Sequence, residues 1–188
     1  MIINRVWAMP NKWTFKIKPI KELLNRYVED GKGWIDPFAG MFSPAEYTND
    51  LNPKCKADHH LESLEFAKLM KEKLGTVNGC IFDPPYSLTQ VSRSYKDMGK
   101  EYHNVNDRTG AFTKTRDIIA QIIKLKGLVI YFGWNTNAFG KKRGFEIIEI
   151  LIVAHGGNRN DTLVTVEKKI YYQKNDFYEN PDRRINTK

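Results

Sequence analysis

The chain has 188 residues, with 30 Lys plus Arg against 22 Asp plus Glu and a net charge of +8 when histidines are neutral. An apolar share of 41% and a charged share of 28% exclude disordered and fibrous classes and leave one domain with a real core. The longest apolar runs, 127–133 and 147–154, are too short to cross a bilayer, the first residues lack a secretory signal's apolar stretch, and Cys55 and Cys80 are too few for a disulfide framework, so a cytoplasmic setting is expected.

Residues 19–28 read as a helix, with Pro19 in its first turn and Ile20, Leu23, Leu24 and Tyr27 at helical spacing. Trp34-Ile35 begin a short buried strand that ends at Asp36-Pro37, and 47–51 form a second strand ending around Asp50. Residues 62–74 are helical, with Leu64, Phe66, Ala67, Met70 and Leu74 inward. Residues 79–82 form an apolar strand stopped by Asp83-Pro84-Pro85. The stretch 87–110 is polar and without period, which predicts a long loop. A helix over 113–124 and a strand over 128–132 follow. The runs 145–155 and 163–172 read as a hairpin, and the last residues as a polar tail.

Strands alternating with helices predict an α/β, mostly parallel sheet with a C-terminal antiparallel hairpin at its edge, in a single domain over 1–175 with a tail over 176–188. Ligands of such sheets bind beyond the carboxyl ends of the strands. Asp36, Asp50 and Asp83 each stand at a predicted strand end, so the topology converges three carboxylates on one rim. The basic balance, with an isoelectric point near 9.4, favours a polyanionic partner, most simply nucleic acid. Arg93, Lys96, Lys141, Lys142 and Arg143 are candidate phosphate contacts, although each alone is more simply a solvated charge.

The chemistry concentrates in Asp83-Pro84-Pro85-Tyr86. Two prolines after an apolar strand stop the sheet and hold the backbone extended. Proline offers no N–H, so its carbonyls stand as uncontested acceptors. Asp83 adds another acceptor and Tyr86 a flat face. Together they suit a planar ring bearing an amine, such as a nucleobase removed from its stack.

This tetrapeptide resembles the catalytic motif of the adenine-N6 DNA methyltransferases, and Asp36-Pro37-Phe38-Ala39-Gly40 resembles their S-adenosylmethionine motif. More closely, the segments 13–24, 35–40, 48–53, 57–66, 82–90, 127–135 and 154–169 are similar, in one order, to the small phage and mobile-element adenine-specific DNA methyltransferases. The resemblance implies a Rossmann-like methyltransferase fold, S-adenosyl-L-methionine as cofactor, DNA (double- or single-stranded) as substrate and no metal. Asp36 and Gly40, with Phe38 in the same motif, would hold the methionine end; Asp50 would accept the ribose hydroxyls, as an acidic residue does in dinucleotide folds. Leu51 would pack on the cofactor's adenine, and Glu62 would accept from its amine, although Glu62 also suits a helix start. Thr14, Phe15 and Lys18 fall in the cofactor-facing N-terminal segment. Beside the resemblance, Trp134 and Asn135 follow a predicted strand end on the same rim, where they suit the base pocket or equally a packing role, and Arg93 suits substrate phosphate. Asp83, Pro84, Pro85 and Tyr86 would carry the transfer itself.

Two departures from the pattern bear on this reading. A second glycine usually follows two positions after Gly40; here that position is Phe42. Asp36 and Asp50 are so close in sequence, with Pro44 between them, that the helix normally joining the first two strands is expected to be absent or one turn long. No separate recognition domain is evident, which predicts loose sequence specificity or a specificity partner protein. An RNA base, cytosine N4 or guanine N2 is the alternative acceptor, and a catalytically silent nucleic-acid-binding module is the alternative class.

Overall fold

A computed structural model describes residues 1–99 and 112–172. The part of the expected loop beyond 99 and the tail over 176–188 lie outside the described residues. The strands are β1 (Ile2–Trp7), β2 (Trp34–Asp36), β3 (Tyr47–Thr48), β4 (Val77–Phe82), β5 (Ile123–Gly133), β6 (Phe145–Ala154) and β7 (Thr162–Lys169). The helices are α1 (Lys18–Val28), α2 (Ser63–Leu74), α3 (Leu88–Asp97) and α4 (Thr113–Ile122). All seven strands form one sheet in the order β1-β6-β7-β5-β4-β2-β3. Only β7 runs against its neighbours β5 and β6; the other pairs are parallel.

Alternation along the central strands builds a core on each face. Ile81, Ile130 and Phe132 pack with Ile20, Leu23, Leu24 and Val28 of α1 on one side. Cys80, Phe82 and Val129 pack with Phe66 and Met70 of α2 and Ile119 and Ile122 of α4 on the other. Buried Glu149 in β6 ties the first layer together: it accepts from the Tyr27 hydroxyl at 2.6 Å and from Arg26 at 2.7 Å. Burial and this carboxylate push the Tyr27 phenol up to about 12.

The sheet departs from the expected one in four places. β1 is a further strand, joined parallel to β6, so the hairpin is not at the edge and β7 lies inside the sheet. α3 replaces the first part of the expected loop. Ser87 caps it by accepting from the Gln90 N–H at 3.2 Å, and Leu88, Val91 and Tyr95 recur at helical spacing, although Val91 is its only buried residue. α4 ends at Ile122, and β5 starts at once. The ladder with β4 passes from Ile123 to Leu128 through a bulge, where Lys126 adopts φ 65°. Finally, β3 stops at Thr48. Asn49, buried behind it, donates from its amide to the carbonyls of Pro37 and Leu61 and accepts from the Leu61 N–H, which fixes the chain leading to Asp50.

One feature of the order places the site. From β2 the chain steps outward to β3, then returns past β2 to β4. The carboxyl ends of β2 and β4 therefore flank a point where the winding reverses, and connections diverging there leave a crevice.

Candidate active site

A cleft of about 480 Å³ opens at this switch point. Pro37, Phe38 and Gly40, which follow β2, line one wall, and Asp83 through Tyr86, which follow β4, line another. Asp50 and Leu51, after β3, and Glu62, at the start of α2, close the far end. α3 forms a cover, to which Arg93 belongs, and Thr14 enters from the segment before α1. A smaller cavity of about 140 Å³ adjoins it, bounded by Lys12, Phe15, Met41 and Phe42 and sharing Trp13, Thr14, Phe38, Gly40 and Asp83 with the cleft.

The tetrapeptide forms a partly buried cradle. The Tyr86 hydroxyl donates to Asp83 Oδ1 at 2.6 Å, and Thr14 also hydrogen-bonds this carboxylate. Burial pushes Asp83 up to about 6, with both hydrogen bonds opposing the rise. Pro84 is buried. The Tyr86 ring meets Trp134 edge-on, with centroids 5.7 Å apart. Trp134 is 40% exposed and, like Asn135, is not part of the cleft lining; it reaches the site only through Tyr86.

At the opposite end, Asp50 receives the Gly40 N–H on Oδ2 and the Asn52 N–H on Oδ1, both at 2.9 Å. It thus caps its own turn and ties it to the loop after β2 while facing the cleft. Gly40 can make this approach because it adopts φ 56°. The Cys55 thiol beside Asp50 is pushed up to about 11, first by burial and then by this carboxylate. Glu62 accepts from the Tyr95 hydroxyl of α3 at 2.6 Å.

Asp36 does not reach the cleft. It is fully buried beneath the loop, where it accepts from the Phe38 N–H at 2.9 Å and the Ser43 hydroxyl at 2.6 Å. Burial, with smaller contributions from the charges of Asp83 and Asp50, pushes it up to about 8. No helix joins β2 to β3, and the N–H groups of Phe38, Ala39 and Gly40 are already taken by Asp36, Asn49 and Asp50. Phe42 fills this region instead. Its ring meets Trp13 edge-on at 5.7 Å, and the Lys16 ammonium sits 4.0 Å above it.

Other candidates lie elsewhere. Phe15 is buried against Phe132, touching only the smaller cavity, and exposed Lys18 opens α1 without lining either space. The Asn135 amide oxygen caps the turn at Asn137 and stands outside the cleft lining. Lys141, Lys142 and Arg143 immediately precede β6, so they sit at the end of the sheet away from the cleft, and Arg143 pairs with Asp117 at 2.7 Å. They are not cleft contacts. His60 bonds the Asp50 carbonyl at 2.8 Å, and His155 bridges the Ala8 carbonyl and the Thr162 hydroxyl, so both act in structure. Sequence reasoning missed Trp13, Gln90 and Tyr95 as cleft residues; the capping Ser87 and the helical spacing of Leu88, Val91 and Tyr95 were the signals for the helix that carries two of them.

No family model and no curated protein matches the sequence. Among solved structures, TrmN from Thermus thermophilus superposes with a TM-score of 0.53 at 14% identity, over 82% of this chain and 49% of that one. The complex of SMU.776 with SAH gives 0.49 at 13% identity, over 79% and 48%. N-methyltransferase NodS from Bradyrhizobium japonicum WM9 gives 0.49 at 9% identity, over 82% and 96%. The chain spans about half the length of TrmN and of SMU.776. Sheet order and the TrmN superposition together give the chain a Rossmann-like methyltransferase fold.

Proposed function

We propose that the chain moves a methyl group from S-adenosyl-L-methionine to the exocyclic nitrogen of adenine in DNA. One observation carries the reading: a single cleft at the switch point holds both the Asp83–Tyr86 cradle and the Asp50–Leu51–Glu62 end. The residues fit the cofactor. A ligand with a sulfonium, an ammonium and ribose hydroxyls is cationic where it reacts and rich in donors, and Asp50, Glu62 and Asp83 supply acceptors along the whole cleft. Bound there, the cofactor supplies an electrophilic methyl.

Asp50 would accept from the ribose, Leu51 would pack on the purine, and Glu62 would accept from its amine. Asp36 would act at one remove, setting the loop that carries Phe38 and Gly40. With no helix start after β2 and the N–H groups of that loop engaged, the methionine end would fall to the smaller cavity, which Thr14, Phe38, Gly40 and Phe42 help to bound. Thr14 would brace Asp83. At the acceptor end, the Asp83 carboxylate and the Pro84 carbonyl would receive the two N–H groups of the target amine. That draws the nitrogen away from planarity, frees its lone pair and stabilises the charge that grows on it. Tyr86, backed by Trp134, would hold the ring, and alignment of the two ends does the rest. Arg93, on the cover, would meet the sugar-phosphate backbone.

Among the described residues, no helix is long and apolar enough to cross a membrane, and no group of three or more His, Cys, Asp or Glu is arranged to hold a metal ion. The test is transfer of tritiated methyl to DNA and to RNA, followed by nucleoside analysis. N6-methyladenine in DNA is expected; label in RNA, or on cytosine or guanine, moves the acceptor to the alternative class. Calorimetry that finds no binding of S-adenosylmethionine or its demethylated product would leave a silent nucleic-acid-binding module, the reading that the missing helix after β2 favours.

A further inference from the structure

Helix α3 touches both ends of the cleft. In its first turn Gln90 Oε1 accepts from the Tyr86 backbone N–H at 2.6 Å. Five residues on, the Tyr95 hydroxyl donates to Glu62 Oε2 at 2.6 Å. Five residues of α-helix advance about 7.5 Å, so one short rod joins the tetrapeptide to the carboxylate at the start of α2. Val91 is the only buried residue of α3. These two hydrogen bonds tie α3 to the tetrapeptide and to the start of α2.

The bond at Glu62 also restrains that side chain. Glu62 is exposed, and an exposed glutamate side chain samples many rotamers. With Oε2 held by Tyr95, the carboxylate is confined to few rotamers, and Glu62 lines the same cleft as Leu51. We propose that Tyr95 is a positioning residue of the donor site: it aims the Glu62 carboxylate at the amine of an adenosyl group and fastens α3 over it, so that filling the donor end fixes the Gln90–Tyr86 contact at the acceptor end. The proposal rests on the cleft being a methyl-donor site. It requires a purine that donates from its C6 substituent. A hypoxanthine ring has a carbonyl oxygen there, which meets an aimed carboxylate acceptor to acceptor, and its own N–H lies one ring position away at N1.

Calorimetry with S-adenosylhomocysteine and S-inosylhomocysteine tests it on the whole chain. Tyr95→Phe, which keeps the ring, should weaken the adenosyl compound about tenfold and leave the inosyl compound unchanged. Glu62→Gln should weaken the adenosyl compound similarly, and the double variant should lose little more than either alone. Amide exchange over 88–97 should slow when S-adenosylhomocysteine binds the parent chain and slow much less in Tyr95→Phe. A variant that binds the adenosyl compound like the parent, or that loses both compounds equally, overturns the role of Tyr95 and leaves the donor site standing. A parent chain that binds neither compound overturns both.

Discussion

Asp83 can balance the positive charge that grows on the target nitrogen only as a carboxylate, and its surroundings oppose that form. Burial holds its proton to about pH 6. Methyl transfer measured as kcat/KM is therefore expected to rise with pH along a one-proton limb centred near 6 and to level off above it. A limb near 4 would mean that Asp83 is as hydrated as an ordinary carboxyl. Asp83→Ala should abolish transfer while calorimetry still finds the demethylated cofactor bound, because the donor contacts lie at Asp50 and Glu62; an active variant removes Asp83 from the chemistry. Asp36 responds differently, in stability. It keeps its proton to about pH 8 when folded and loses it near 4 when unfolded. Between those values the folded chain binds more protons, so its stability falls as pH rises through the window and is greatest below it. Thermal melts of Asp36→Asn should fall less steeply from pH 4 to 8 than those of the parent, and parallel curves would show that Asp36 ionises normally. Asp36, Asp50 and Asp83 were legible because a carboxylate that ends an apolar run is conspicuous. Whether each faces the cleft or lies under it was not, because that depends on Ser43 and on the Phe38 N–H folding back over Asp36.

Among the elements, α1, α2 and the central strands could be read from spacing because each buries a regular apolar stripe. α3 and β1 were not. α3 spaces Leu88, Val91 and Tyr95 helically but buries Val91 alone, so the stretch reads as polar, and β1 exposes Ile2, Ile3 and Trp7 and is held by its ladder to β6. The bulge in β5 hid for a related reason: its residues 124–126 are exposed and follow α4 without a break. The site depends most on the pairing of β2 with β4, where Trp34 lies opposite Gly79. A Cβ at position 79 would stand 2.6 Å from the Trp34 ring, which must then move within the core. Gly79→Ala should lower the unfolding free energy in urea by about 1–3 kcal/mol, the usual cost of overpacking. A midpoint unchanged from the parent would show that the indole shifts freely.

The whole molecule is basic, with a net charge of +8, yet its cleft is lined by Asp50, Glu62, Asp83 and Asp97. Such a division suits a cationic donor within and a polyanion against the outer surface. Association with an oligonucleotide should weaken steadily with salt, by a slope of about −0.9 in log–log form for each duplex phosphate neutralised. A slope near zero would leave the surplus charge without a nucleic-acid role. The sheet is joined over very different spans of chain. β6 and β7 are sequence neighbours and close a local hairpin, whereas β1 pairs with β6, Ile2 lying opposite Glu149, across most of the chain. Contacts that close so long a loop form slowly, after local ones. During synthesis on the ribosome, β1 therefore emerges well before the strand it pairs with, and until β6 has left the exit tunnel Ile2, Ile3 and Trp7 travel without their partner strand.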